Sequence, residues 1–129
     1  DLGQGDDYIY INGSPESSNI KGGDGRDTLH INNSTISTDQ FSGFEVIILG
    51  DGYTGKQGEV TLDIGTLKDI SDNKLYIQGN GNSKVMLQGG SWIDTNVDTE
   101  IEGVTYDKYI NTSNVDLGVY IEHDVKVVI

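Results

Sequence analysis

The sequence predicts an all-β fold, and three observations lead to this prediction. Apolar residues recur in short runs or with period-two alternation, which is typical of strands. Clusters of Gly, Asn and Asp bound these runs and supply turns, and the chain has 18 glycines. At most one short helical turn fits the pattern, over Thr66–Ser71, where Thr66 and Asp69 have the spacing of a capping pair.

The predicted strands follow one another along the whole chain. We expect them near Tyr8–Ile11, Thr28–Ile31, Phe44–Leu49, Glu59–Ile64, Lys74–Gln78, Lys84–Gln88, Glu100–Ile110, Val115–Ile121 and Val125–Ile129. Between the fifth and the sixth lies Gly79-Asn80-Gly81-Asn82. Asn-Gly is a strong hairpin signal because both residues tolerate positive φ, so a hairpin is predicted there.

The length predicts a single domain over residues 1–129. Residues 1–40 are dense in Gly, Asp, Asn and Ser, whereas residues 41–129 carry longer strands, so we expect two sub-regions without a linker. Hydrophobic residues make up 34% of the chain and lie in ordered runs, which argues against disorder. The chain opens on Asp1 rather than Met and ends in an apolar strand, and we interpret it as a segment of a longer protein.

The charge of the chain limits its partners. Asp and Glu number 21 against 8 Lys and Arg, which gives a formal charge of −13. Such a surface repels phosphate backbones and anionic lipid, so we expect neither nucleic-acid binding nor direct membrane insertion. There is no cysteine and hence no disulfide. Calcium is the first candidate to neutralise the excess carboxylates, because it prefers hard oxygen ligands.

Two copies of a glycine-rich nonapeptide contain the candidate calcium ligands. Residues 22–30 read GGDGRDTLH and fit the calcium pattern G-G-x-G-x-D-x-U-x at every fixed position. Residues 2–10 read LGQGDDYIY and differ only at the first glycine, which is Leu2. Asp7 and Asp27, the motif carboxylates, lie 20 residues apart, as expected for copies that stack on one edge of a parallel β-roll.

A calcium ion between the stacked copies would be held by carboxylates and backbone carbonyls. Glycine at positive φ turns the carbonyls inward, and the motif aspartate adds a side-chain oxygen. The predicted ligands are Asp7, Asp27 and the carbonyls near Gly3, Gly5, Gly23 and Gly25. Asp1, Asp6 and Asp24 either add ligands or are solvated charge. The alternative is a pair of glycine-rich turns that cap strands without metal.

These motifs resemble those of the repeats-in-toxin (RTX) family, which type I secretion exports and extracellular calcium folds. The later stretches 43–47, 67–72, 74–79 and 84–87, with Trp92 and 103–109, are similar to ligand-binding modules near the C-terminal end of bacterial RTX adhesins. The resemblance implies short calcium-binding β-roll turns that merge into a β-sandwich-like or β-solenoid domain. It also implies a secreted or cell-surface location and a role in adhesion, including biofilm adhesion.

The chain departs from such modules in two places. The segment before the Val85 strand holds Asn80, Asn82, Ser83 and Lys84 where acidic residues are common, so no calcium site is expected there. The perfect nonapeptide also occurs only once, so the long β-roll of these adhesins is not expected.

Residues 94–102 form a second acidic segment. Asp94, Asn96 and Asp98 give D-x-N-x-D, the opening of many calcium loops, but the later positions of an EF-hand are missing. The alternative is a strand with its acidic side in water and Thr95, Val97, Thr99 and Ile101 facing inward. If a calcium ion here kept a free coordination position, Asp94 and Asp98 would bind the ion, a ligand would complete its coordination, and the Trp92 ring would be a stacking wall against that ligand. Otherwise Trp92 packs in the core.

The remaining candidates are weaker. Tyr53 lies in the glycine-rich segment 50–58 and could contact a ligand, but the segment lacks the Lys-[Ser/Thr] ending of a phosphate loop. His30 is expected to face outward and His123 to lie in a turn. Neither has a nucleophile motif near it in sequence, so the chain is not expected to be an enzyme. Tyr106, Tyr109 and Tyr120 are expected to pack.

Three functions remain open. The first is a calcium-dependent extracellular adhesion module that binds a peptide terminus or a glycan on a host or microbial surface. The second is a calcium-rigidified spacer or cap that orients neighbouring domains of the same adhesin. The third is the RTX tail of a secreted enzyme, for which the chain supplies no catalytic half.

Overall fold

A computed structural model describes residues 2–13, 20–50, 58–67 and 70–129. Strand accounts for 62% of it, and the one helical element among these residues is a 3₁₀ turn over Ser71–Asn73, so the predicted all-β class is confirmed. The strands are β1 (Tyr8–Asn12), β2 (Ile20–Lys21), β3 (Thr28–Asn32), β4 (Ser34–Ser37), β5 (Phe41–Ser42), β6 (Val46–Leu49), β7 (Gly58–Asp63), β8 (Lys74–Gln78), β9 (Lys84–Gln88), β10 (Trp92–Ile101), β11 (Val104–Asn111), β12 (Asn114–Glu122) and β13 (Lys126–Val128). No helix in the described ranges is long and apolar enough to cross a membrane.

The larger sheet has seven strands in the order β1-β3-β6-β8-β12-β11-β10. The first five run parallel, and the last two pairs are antiparallel. Their register is continuous, because Thr28 pairs with both Tyr8 and Val46, and Tyr76 pairs with both Val46 and Tyr120. Residues far apart in sequence therefore form rows across the sheet.

The smaller sheet has four parallel strands in the order β13-β9-β7-β4, and β2 pairs with β5 in a third, two-stranded sheet. Four strands of the larger sheet, β3, β6, β8 and β12, are each followed by the next strand of the smaller sheet, β4, β7, β9 and β13. The alternation is interrupted once, by the β10–β11 hairpin of the larger sheet, which lies between β9 and β12. The chain thus alternates between two mainly parallel sheets, an arrangement compatible with a β-sandwich-like class.

The core lies between these two sheets. Alternate residues of the larger sheet point inward, and they pack against inward residues of the smaller sheet in one buried cluster. From the larger sheet come Leu29, Ile31, Ile47, Leu49, Leu75, Ile77, Val119 and Ile121, and from the smaller sheet Ile36, Val60, Leu62, Val85 and Leu87. Burial of each such side chain contributes about 1.5–3 kcal/mol to folding.

The hairpin predicted at 79–82 is wrong. β8 and β9 have the predicted bounds, but they lie in different sheets, and the segment between them carries the chain from one sheet to the other. The Ser83 N–H donates to the Asn80 carbonyl oxygen at 2.9 Å and closes this turn. Each strand pairs with strands of neighbouring circuits because that arrangement lets both apolar faces point into one core.

The single strand predicted over Glu100–Ile110 is also wrong. It breaks at Glu102 and Gly103, whose φ angles are 52° and 83°, and Ile101 pairs with Val104 across this two-residue turn. Positive φ at both central residues is the geometry of a tight hairpin, so β10 and β11 fold back on each other. The predicted helical turn at 66–71 is displaced to the 3₁₀ turn at 71–73, and residues 68–69 lie outside the described ranges.

Candidate metal centre

The two nonapeptides stack directly on each other, as predicted. Gln4 and Asp24 form a parallel bridge, with Gly5 N–H donating to the Asp24 carbonyl and Asp24 N–H donating to the Gly3 carbonyl, each at 2.9 Å. Beyond this bridge, β1 and β3 continue in parallel register from Tyr8 and Thr28. The spacing of 20 residues therefore corresponds to one circuit of the chain.

The motif glycines have the backbone conformation that the prediction requires. Their φ angles are 93° at Gly3, 103° at Gly5, 106° at Gly23 and 127° at Gly25. L-residues with a side chain rarely adopt these angles. The turns are therefore shaped by their sequence before any ligand is considered.

Three acidic side chains form a ladder across neighbouring circuits, and we call Asp7, Asp27 and Glu45 the acidic ladder. Asp7 N–H donates to Asp27 Oδ1 at 2.8 Å, and Asp27 N–H donates to Glu45 Oε2 at 2.9 Å. Asp27 is 0% exposed and Glu45 is 4% exposed. Each of the two inner carboxylates accepts a hydrogen bond from the backbone of the preceding circuit, so these acids hold the stack together.

The ladder leaves two carboxylate oxygens unsatisfied. Asp7 Oδ2 and Asp27 Oδ2 are buried and have no hydrogen-bond partner among the described residues. A buried, unpaired carboxylate oxygen costs about 1–3 kcal/mol or more, because it has lost its water without replacement. Carboxylate oxygens are among the hard oxygen donors that Ca²⁺ prefers.

The site would depend on backbone carbonyls as well as on carboxylates. Among the described residues, no group of three or more His, Cys, Asp or Glu side chains is arranged to hold a metal ion. The carbonyls of the turns would supply the remaining ligands of a 6–8 coordinate ion. Asp7 and Asp27 would hold the ion, and its charge would offset their burial.

Asp6 and Asp24 are both exposed, whereas Asp7 is half-buried and Asp27 is buried. Asp6 Oδ1 accepts the Arg26 N–H at 2.9 Å, so its carboxylate caps the next turn. Asp24 contributes its backbone to the bridge with Gln4. Asp1, the other acid named with them, lies outside the described ranges.

The segment with Asp94, Asn96 and Asp98 is a bulged strand rather than a loop. The register of β10 against β11 shifts between Asp94 and Asp98, and Asn96 has φ 56° and donates its N–H to Asp94 Oδ1 at 2.9 Å. The Asp94 carboxylate is thus used in a local turn. The alternative prediction was a strand with Thr95, Val97, Thr99 and Ile101 facing inward, and it is correct only in part. Thr95 and Thr99 are half-buried, whereas Val97 and Ile101 are 51% and 36% exposed.

Trp92 is not a stacking wall, because its ring is buried in the core with 8% exposure. Its indole N–H donates to the Gln88 carbonyl at 2.8 Å, which satisfies its polar atom. The structure therefore supports the core-packing alternative. Tyr53, the other predicted ligand contact, lies outside the described residues.

An exposed group of titrating side chains lies beside the bulge. Asp98 pairs with Asp107 across β10 and β11, and His123 Nδ1 lies 3.1 Å from Asp107 Oδ1. The hydrogen bond with Asp107, and then its negative charge, raise the pKa of His123 above 6.5. The hydrogen bond with Asp107 also raises the pKa of Asp98.

We expect the raised pKa of His123 to be visible by NMR titration. A raised folded-state pKa means that this contact stabilises the protein below about pH 6.5 and that the effect is lost as the pH rises through the folded-state pKa. Asp107→Asn should move the His123 midpoint back toward 6.5, whereas Asp116→Asn, at an exposed position of β12, should leave it unchanged. Equal midpoints in the wild type and Asp107→Asn would contradict the assignment.

The sequence prediction missed Glu45 and an aromatic outer face. Glu45 lies outside both nonapeptides. The only sequence feature that marks its turn is Gly43, two residues earlier, which has φ 72°. The outer face of the seven-stranded sheet carries Tyr8, Tyr10, Tyr76, Tyr106 and Tyr120. His30 lies among them, bonded to the Tyr8 hydroxyl and, through Nε2, to the Gly50 carbonyl, so it faces outward as predicted.

The predicted packing of the later tyrosines is confirmed, because Tyr109 and Tyr106 are 6% and 3% exposed and Tyr120 stacks on Tyr76. His123 lies in the turn before β13, as predicted.

Comparisons with protein-family models, with curated proteins and with solved structures find no match for this chain.

Proposed function

We propose that the chain is a calcium-dependent extracellular adhesion module, in which calcium bound at the stacked glycine-aspartate turns stabilises the fold. The observation that carries the calcium part of this proposal is the pair of buried, unsatisfied oxygens, Asp7 Oδ2 and Asp27 Oδ2. A divalent cation there would satisfy both oxygens at once and would offset part of the formal charge of −13.

The strand arrangement supports a finer description of the N-terminal circuits as short β-roll turns. Strands of the two mainly parallel sheets alternate along much of the chain, and the nonapeptide copies stack one circuit apart. Calcium would then replace disulfides as the cross-link of the chain, which has no cysteine. Weak calcium sites of this kind suit the extracellular space, where binding modules work with millimolar dissociation constants.

A calcium-rigidified spacer is the second candidate, because strands near both ends of the described chain lie at sheet edges. β1 is an edge of the seven-stranded sheet and β13 is an edge of the four-stranded sheet. An edge strand presents unpaired backbone groups to a neighbouring domain of the same protein. Binding of a surface ligand separates the two functions, since a spacer needs none.

Calorimetric titration of calcium into the chelator-treated protein tests the calcium part of the proposal. We expect saturable binding to the wild type and at least a tenfold loss of affinity in Asp27→Asn. Asn retains the volume of Asp and an oxygen that accepts the Asp7 N–H, so the change removes mainly the charge. Asp7→Asn, at a less buried position, repeats the test if Asp27→Asn folds poorly.

The matched control is Asp116→Asn, an exposed acid of β12 with the same change of charge. It should bind calcium as the wild type does. Equal affinities in Asp27→Asn, Asp7→Asn and Asp116→Asn, or no binding to the wild type, would overturn the calcium site.

A further inference from the structure

A cleft of about 650 Å³ opens beside the acidic ladder, on the outer face of the seven-stranded sheet. Its lining comes from three neighbouring circuits: Arg26 precedes β3, Glu45 precedes β6, and Lys74 and Tyr76 belong to β8. The volume lies within the range of about 300–1,000 Å³ that is typical of small-ligand sites. The cleft exists only because these distant segments are stacked.

Within the described part of the chain, the two cations of the cleft form no ion pair. Arg26, the single arginine of the chain, lies over the Tyr76 ring at 5.3 Å, and within the described ranges neither it nor Lys74 forms an ion pair. In a chain with 21 acids and 8 bases, a nearby carboxylate would be the default partner. A guanidinium over a ring makes no hydrogen bond to it, so its N–H groups stay available for a ligand.

The third wall of the cleft has an unusual backbone. Asp72 and Asn73 are successive exposed residues in the left-handed region, with φ 58° and 53°. Among residues with a side chain, Asp and Asn adopt this conformation most readily, because their short polar side chains can hydrogen-bond locally. The turn places a carboxylate and an amide at the cleft.

We propose that this cleft binds a neutral saccharide, an inference that rests on the adhesion function proposed above and assigns its ligand. The cleft offers donors at Arg26 and Lys74 and acceptors at Asp72 and the Asn73 amide. A sugar hydroxyl both donates and accepts, so adjacent hydroxyls can bridge groups of opposite charge. A peptide carboxylate has no donor of its own, and the formal charge of −13 on the chain repels an acidic sugar.

Calcium would act on this site indirectly. The backbone N–H of Arg26 donates to Asp6 Oδ1 at 2.9 Å, and Arg26 is followed directly by Asp27 of the acidic ladder. A cation at the ladder would fix the turn that carries the guanidinium. Saccharide binding would then require calcium although the sugar does not coordinate the ion.

NMR titration of the calcium-loaded protein with neutral trisaccharides of glucose, mannose and galactose tests this site. We expect at least one of them to shift the amide signals of Arg26 and Lys74, and the double variant Arg26→Gln/Lys74→Gln to weaken binding at least tenfold. Lys126→Gln, an exposed change of the same kind on β13, should bind as the wild type does. Trigalacturonate and a tripeptide with a free carboxylate serve as competing probes.

The outcomes separate this proposal from the calcium proposal. Binding of only the acidic sugar or only the peptide, equal binding by the wild type and the double variant, or no binding by any trisaccharide would overturn the saccharide site, even if calcium still raises the melting temperature. Binding that persists unchanged in EDTA would support the site and overturn its calcium dependence.

Discussion

We expect EDTA to lower the melting temperature of the protein by about 6 °C relative to about 10 mM calcium. A ligand present at about ten times a millimolar dissociation constant stabilises the folded state by about 1.4 kcal/mol. For a chain of this size, 1 kcal/mol corresponds to roughly 4 °C. The physical cause would be the loss of a cation that satisfies Asp7 Oδ2 and Asp27 Oδ2. Circular dichroism in the far ultraviolet, followed against temperature, measures the shift.

Variants of the acidic ladder show where the effect arises. In the double variant Asp7→Asn/Asp27→Asn, the melting temperatures in calcium and in EDTA should differ by about 2 °C or less, because the neutral amides no longer attract the ion. Asp116→Asn should keep the full difference, since its side chain is exposed on β12. A buffer with magnesium and EGTA controls for a general effect of divalent ions on an acidic protein. Superimposable melting curves with and without calcium would end the calcium proposal.

The strands could be predicted from the sequence because their signal is local. β8 and β9 have the predicted bounds, since each is a short alternating run with turn residues on both sides. β4 was missed because Ser34–Ser37 contains only one apolar residue, Ile36, and forms a strand through its pairing with β7. Tertiary context outweighs propensity in such a segment.

The pairing of strands could not be predicted in the same way. The Asn-Gly signal between β8 and β9 is compatible with a hairpin, but these strands pair with β6, β12, β7 and β13 instead. The choice depends on where the apolar faces of all circuits can meet. A local turn signal does not contain that information.

Some residues of the candidate site could be predicted from a local motif, and others are placed only by strand pairing. Asp7 and Asp27 were predicted because a repeat places equivalent residues on equivalent circuits, and the structure stacks them. Glu45 joins the ladder through the register of β3 with β6, and no motif marks it. The cleft combines Arg26 with Tyr76, whose proximity follows only from the order of strands in the sheet.

The close contact between the two nonapeptide turns leads to a second prediction of large effect. We expect Gly23→Ala to destabilise the protein by about 3 kcal/mol, or roughly 12 °C in melting temperature. A Cβ atom at Gly23 would overlap the Gly3 carbonyl oxygen, which is backbone and cannot rotate away. The stacked turns would have to separate, and the hydrogen bond from Asp24 N–H to the Gly3 carbonyl would weaken.

Gly3→Ala is the matched control for this change, because Gly3 has a similar φ of 93° but a Cβ atom there would meet no other atom within 4 Å. It should cost only the backbone strain, about 1 kcal/mol, or roughly 4 °C. The difference between the two variants therefore isolates the packing of one turn on the other from the conformational preference of glycine. Since Gly3 is also a predicted carbonyl ligand, Gly23→Ala should weaken calcium binding as well. If thermal melting gave equal losses for both variants, the turns would not be packed as described, and the acidic ladder would lose its geometric basis.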